Sequence, residues 1–154
     1  MSESELIYFE TVNPPMAEAG DIARVLDGEV GFYEDDGGLC VSIPSKLGTG
    51  FIEGPVYPNI YNEERDDDWE PTAPDAYRVV FQMRGDRRVL RAEAGRIFDA
   101  LMAARPTIPM ILTHNLDILA ASYVPGKGVK FFAENVTIDA EDEPVWREWV
   151  ATPD

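Results

Sequence analysis

Cysteine occurs once in the 154 residues, as Cys40, so no disulfide can form within the chain and a cysteine-rich metal site is excluded. Histidine also occurs once, as His114, which removes multi-histidine zinc centres. Lysine is scarce, with only Lys46, Lys127 and Lys130. Long apolar runs are missing too: the longest mostly apolar stretch, Leu116 to Val124, is nine residues and carries Asp117, against the roughly 20 residues that span a bilayer. The opening Met1-Ser2-Glu3-Ser4-Glu5 is acidic where a secretory leader is basic. A cytoplasmic protein without a membrane anchor is the expectation.

What is abundant is acid. With 29 Asp and Glu against 13 Lys and Arg, the formal charge is −16 and the sequence pI about 4.3. Such a chain repels phosphate, so nucleic acid and anionic membrane surfaces are excluded as partners. The same charge opposes self-association, and a monomer or weak dimer is expected. A hydrophobic content of 45% suffices for a core in one domain of this length. The acid is unevenly placed: residues 1–77 hold 18 acidic and 3 basic side chains, net −15, whereas 78–154 hold 11 and 10, net −1. From Arg78 to Arg105, seven arginines face three acids, a local net of +4. A salt-adapted acidic coat would cover both halves, so the asymmetry argues for a localised feature.

Hydrophobic periodicity gives the elements. Leu6–Val12 reads as a central strand, apolar on both faces. Asn13 can cap a helix with Pro14 at its first position, and Ala19, Ile22, Ala23 and Leu26 share one face before Gly28 ends it. Val30–Glu34 and Leu39–Ile43 flank Asp35-Asp36-Gly37-Gly38 as a hairpin. Tyr77–Met83 alternates as a half-buried strand. Leu90, Ala94, Ile97, Phe98 and Leu101 keep helical spacing until Pro106 and Pro109. Met110–Thr113, Ile118–Val124 and Val129–Phe132 read as strands, the last two joined by Pro125-Gly126-Lys127-Gly128. Val145, Trp146, Trp149 and Val150 suggest a short terminal helix. The order lacks regular β–α alternation and predicts an α+β fold, a mostly antiparallel sheet with two main helices on one face and a short C-terminal helix. The expected core includes Phe9, Ile22, Leu26, Val41, Val79, Phe81, Ile97, Phe98, Leu101 and Ile111.

Residues 45–76 read as a long acidic loop with four prolines, three glycines, eight acids and four aromatics, in which short strands have room. Within it, Tyr61, Glu63, Glu64, Asp66, Asp67, Asp68, Trp69 and Glu70 put six carboxylates and two aromatics in the ten residues 61–70. One reading is a solvated loop tip. The functional one is an interface in which the carboxylates face a basic partner and Tyr61 and Trp69 anchor the centre. Calcium is disfavoured, since adjacent aspartates lack the staggered spacing of a calcium loop. No metal or other cofactor is expected.

The remaining motifs are weak. His114, with Asp117 nearby, allows a catalytic dyad, but no Gly-x-Ser-x-Gly elbow accompanies it and Cys40 falls inside a strand. Gly48-Thr49-Gly50 with Gly54 misses the dinucleotide spacing, and Gly126-Lys127-Gly128 lacks the Ser or Thr of a phosphate loop. Arg84, Arg87, Arg88 and Arg91 cluster at the start of the second helix, where cations oppose the helix dipole; either the acidic loop folds back on them or they bind an anion.

A small, cysteine-poor, strongly acidic α+β domain without a catalytic set resembles the immunity proteins of bacterial polymorphic toxin systems. The resemblance is one of type, carried by no motif. It implies a non-enzymatic inhibitor or antitoxin that binds a basic protein partner, such as a toxin, over its active-site surface. The alternatives are an accessory or structural interaction domain without catalysis and a small enzyme centred on His114.

Overall fold

The computed structural model describes residues 3–60 and 70–152. Its centre is the strand β1 (Glu5–Phe9), with all five residues buried. Leu6 and Tyr8 point to one side of the sheet, Glu5, Ile7 and Phe9 to the other, because successive strand residues alternate. A strand apolar on both faces must be covered on both, and it is. Around it runs one eight-stranded antiparallel sheet, in the order β2-β3-β4-β5-β1-β6-β7-β8. The other strands are β2 (Glu29–Phe32), β3 (Leu39–Pro44), β4 (Phe51–Pro58), β5 (Val79–Met83), β6 (Met110–His114), β7 (Ile118–Val124) and β8 (Gly128–Phe131). Helices α1 (Pro15–Val25) and α2 (Leu90–Ala104) pack on one face. The α+β expectation holds.

The main core lies between that face and the helices, built from Phe9, Phe81 and Met83 on the sheet and Ile22, Ile97, Phe98 and Leu101 on the helices. All ten expected core residues are buried. Phe98 is 1% exposed, and Phe98→Ala is expected to lower unfolding free energy by about 3–5 kcal/mol in urea titration, against the ~0.5 kcal/mol of an ordinary surface change. The opposite face is covered differently. Leu6, Tyr8, Tyr77, Val80, Ile111 and Trp146 form a second cluster, and the short helix α3 (Glu143–Trp146) docks there through its tryptophan. Tyr77 is buried in it, its hydroxyl accepting from the Ala151 N–H at 2.9 Å, and burial pushes its pKa well above the ordinary phenol range.

Several local details differ from the sequence reading. Helix α1 is capped by Pro14 with Pro15 in its first turn, and Asn13 donates instead to Glu18 at 3.2 Å. The left-handed residue at its end is Asp27, φ 55°; Gly28 follows because a Cβ there would stand 2.5 Å from the Ser42 carbonyl oxygen. The span 45–76 contains the eight-residue strand β4. Its residues 51–55 pair with β3 and 56–58 with β5, with a further bridge from Glu53 to Arg84.

Two buried acids tie the layers together. Glu18 on α1, 0% exposed, takes both guanidinium nitrogens of Arg105 at 2.8 Å, joining the first helix to the end of the second. Glu93 on α2 accepts from Arg96 at 2.8 Å and from the Lys46 N–H at 2.9 Å, pinning the β3–β4 connection. Burial alone would raise the Glu93 pKa, but hydrogen bonds from Arg96, Ser45 and Lys46 outweigh it and hold the carboxyl below its ordinary range.

Candidate functional site

Of the proposed partner-binding residues, Tyr61, Glu63, Glu64, Asp66, Asp67, Asp68 and Trp69 lie outside the described residues, while Glu70 is exposed at the point where description resumes. The flanks of that segment are firmly held. Asn59, 4% exposed, donates to the Pro74 and Tyr77 carbonyls at 2.8 and 2.6 Å, and its N–H bonds the Arg78 carbonyl at 2.9 Å. A second clamp follows, with Asp75 accepting from the Thr72 N–H at 2.8 Å and from its hydroxyl at 2.5 Å. Residues 59 and 74–78 are thereby stapled side by side next to β5.

The topology turns the charge asymmetry of the sequence into an asymmetry in space. Residues 26–60, which carry β2, β3 and β4, contain Asp27, Glu29, Glu34, Asp35, Asp36 and Glu53 against Lys46, net −5. Residues 110–132, which carry β6, β7 and β8, contain Asp117 against Lys127 and Lys130, net +1. These are opposite ends of one sheet. At the acidic end the β2–β3 hairpin presents Glu34, Asp35 and Asp36 at an exposed tip beside Phe32, whereas Phe51 starts β4 opposite Pro44 at the far end of β3; each phenylalanine is 59% exposed. A hollow of about 450 Å³ opens next to it, lined by Tyr33, Asp36, Leu39, Tyr57 and Arg84. Burial raises the Tyr33 pKa.

His114 does not meet Asp117, which is exposed on the turn between β6 and β7. Its Nδ1 lies 2.5 Å from Oε1 of Glu5, a carboxylate 3% exposed on β1, and the Arg91 Nε reaches the same oxygen at 3.9 Å. The register explains the meeting, since Glu5 and His114 are cross-strand partners in the β1–β6 ladder. They are 109 residues apart, beyond any local motif. The available signal was parity: Glu5 shares the helix-side face with Ile7 and Phe9, and His114 shares it with Met110 and Leu112, so a buried acid there needed a partner.

No family model, curated protein or solved structure matches this chain. Its residues alone therefore carry the functional reading. Among the described residues no group of three or more His, Cys, Asp or Glu side chains is placed to hold a metal ion, and no helix is long and apolar enough to cross a membrane.

Among the described residues, the arginine cluster is met by acids near the start of the chain and within its own turn; residues 61–69 of the acidic segment lie outside the described residues. Arg87 approaches Glu3 at 3.7 Å and Arg91 approaches Glu5, while Arg88 binds Asp86 at 2.9 Å within its own turn. The Arg87–Glu3 and Arg88–Asp86 pairs are exposed and screened by solvent, so they add little stability. They offset charge more than they hold the fold.

Proposed function

We propose that this protein is an acidic, non-catalytic inhibitor of the immunity or antitoxin type, which binds a basic protein surface such as the active-site face of a toxin. The observation that carries the reading is the segregation of charge along the sheet, net −5 over the β2–β4 end against net +1 over the β6–β8 end. A uniformly acidic coat serves solubility; a one-ended one orients an encounter. Exposed Phe32, with the hollow beside Tyr33, supplies apolar contact within the acidic rim, and interfaces derive their affinity from such anchors more than from rim charge. The segment Tyr61–Glu70 belongs to the same half of the chain and adds six further carboxylates.

The test is kinetic. A partner captured from the native host would be measured against two neutralised variants, Asp66→Asn/Asp67→Asn/Asp68→Asn and Glu34→Gln/Asp35→Asn/Asp36→Asn. Each is expected to slow association by about tenfold at low salt and flatten its salt dependence, with dissociation little changed. Trp69→Ala is expected to accelerate dissociation, by about 2 kcal/mol in affinity at a hot spot. Unchanged association rate and salt slope in both neutralised variants would sink the reading.

A further inference from the structure

The sheet is open at both ends: among the described residues β2 and β8 each pair with one neighbour only. Their free sides can be read from the ladders. The Tyr33 N–H donates to the Gly38 carbonyl across the β2–β3 hairpin, and the Phe132 N–H donates to the Ala120 carbonyl of β7. Backbone groups alternate in direction along an antiparallel strand, so Val30 and Phe32 on β2, and Val129 and Phe131 on β8, turn their N–H and C=O groups outward. The side chains match as well. Val30 lies across from Val41 and Phe131 across from Ala121, both part of the core beneath the helices, so each edge presents Val-x-Phe on the helix side of the sheet. All four of these side chains are exposed.

We infer that each edge is taken by the opposite edge of another copy of this chain, joined head to tail. Eight strands, every one antiparallel to its neighbours, leave β2 and β8 running in opposite directions. A copy displaced sideways therefore sets its β2 antiparallel to the first copy's β8, with the helices of both on the same face. With Val129 opposite Phe32 and Phe131 opposite Val30, the outward groups exchange four backbone hydrogen bonds, and an aromatic ring meets a β-branched side chain twice. The same register sets Lys130 diagonal to Glu29 on the other face and brings Lys127 level with Glu34. Charge decides against the symmetric pairings. β2 against β2 would join two ends of net −5, and β8 against β8 would crowd Lys127 and Lys130 of both copies together. β8 against β2 joins net +1 to net −5. Such a heterologous contact leaves one edge of each kind free at the ends of a pair, so it builds assemblies longer than a dimer. Strands of four residues make a small interface and −16 per copy opposes approach, so each contact is weak, with a Kd on the order of 0.1–1 mM. The inference does not rest on the inhibitor reading and is tested on the purified chain alone.

The experiment is sedimentation equilibrium of the full chain from about 10 μM to 1 mM in about 0.15 M salt, which screens long-range repulsion while Lys–Glu contacts at close range persist. The weight-average mass is expected to rise past the dimer as concentration increases. Phe32→Pro and Phe131→Pro each remove one outward N–H and its apolar anchor while leaving the inward ladder hydrogen bonds in place, and each alone is expected to stay monomeric. Mixed in equal amounts they retain one free β8 and one free β2 between them, and are expected to reach the dimer and stop. Lys130→Glu is expected to weaken association by about threefold, and adding Glu29→Lys in the same chain to restore it; these two surface variants carry the test if circular dichroism shows a proline variant unfolded. The inference is overturned if the wild-type chain stays monomeric to about 1 mM, if a folded proline variant associates by itself, if the mixture forms no dimer, or if Glu29→Lys leaves Lys130→Glu as weak as before.

Discussion

Gly54→Ala is expected to abolish stable folding. A Cβ at this position would lie 1.6 Å from the backbone oxygen of Gln82 and 2.8 Å from its carbonyl carbon, and neither atom can rotate away as a side chain could. Relief requires β4 to separate from β5 where the strand changes partner. That separation would break the reciprocal pair in which Glu53 and Arg84 exchange backbone hydrogen bonds at 2.9 Å. The expected loss exceeds about 4 kcal/mol, a large part of the 5–15 kcal/mol that holds a typical domain together. Urea denaturation followed by circular dichroism measures it, with Gly20→Ala as the comparison. Gly20 stands inside α1 with no atom within 4 Å of its Cβ position, so alanine there should raise stability by about 0.5–1 kcal/mol. Opposite signs for the same chemical change would confirm that crowding, not glycine's flexibility, fixes residue 54.

Arg105→Ala is expected to lower stability by about 3–5 kcal/mol, because it strands a buried carboxylate. Glu18 is 0% exposed, both its oxygens are held by Arg105 at 2.8 Å, and the guanidinium also lies 5.8 Å from the Phe9 ring centroid. Asp21, 3.8 Å from Arg105, is itself an acid and cannot replace the lost cation. Arg105→Lys should rescue little, since a single ammonium cannot reproduce the two-pronged contact. The informative comparison is Glu18→Leu/Arg105→Met, which removes both charges and should recover most of the loss. If the double variant is as unstable as Arg105→Ala, the damage comes from lost packing and not from the orphaned charge.

Elements were legible in the sequence where a residue's neighbours in the chain are also its neighbours in pattern. α2 announced itself through Leu90, Ala94, Ile97, Phe98 and Leu101, and β5 through Val79, Phe81 and Met83. β4 was obscured because Gly54, Pro55 and Pro58 read as loop punctuation, yet Ile52, Gly54 and Val56 alternate inward as a strand requires. Pro55 is the last residue paired with β3, so its missing N–H falls where one ladder ends and the next begins. Glu18 sits one turn before Ile22 on the buried face of α1, a polar residue in an apolar stripe, and its partner Arg105 lies 87 residues away. Of the candidate site, composition gave the sign of the charge and its half of the chain. The sheet order gave its placement at one end, and the meeting of His114 with Glu5 required the register of two strands far apart in sequence.

The central strand also sets a schedule for synthesis. β1 is residues 5–9, but its two neighbours begin at residues 79 and 110. At a translation rate of about 5–20 residues per second, the first strand waits roughly 5–20 s before both flanks exist. Until β5 is made, Leu6, Ile7, Tyr8 and Phe9 form a β-prone apolar run with neither neighbour to pair with, the kind of segment that nucleates aggregation, and until β6 follows one edge stays open. Glu3, Glu5 and Glu10 bracket it. Charges in such flanking positions act as gatekeepers against strand stacking between nascent chains. Glu5 thus serves twice at different times: as a guard on the unfinished polypeptide, and later as the buried acceptor that orients the one histidine.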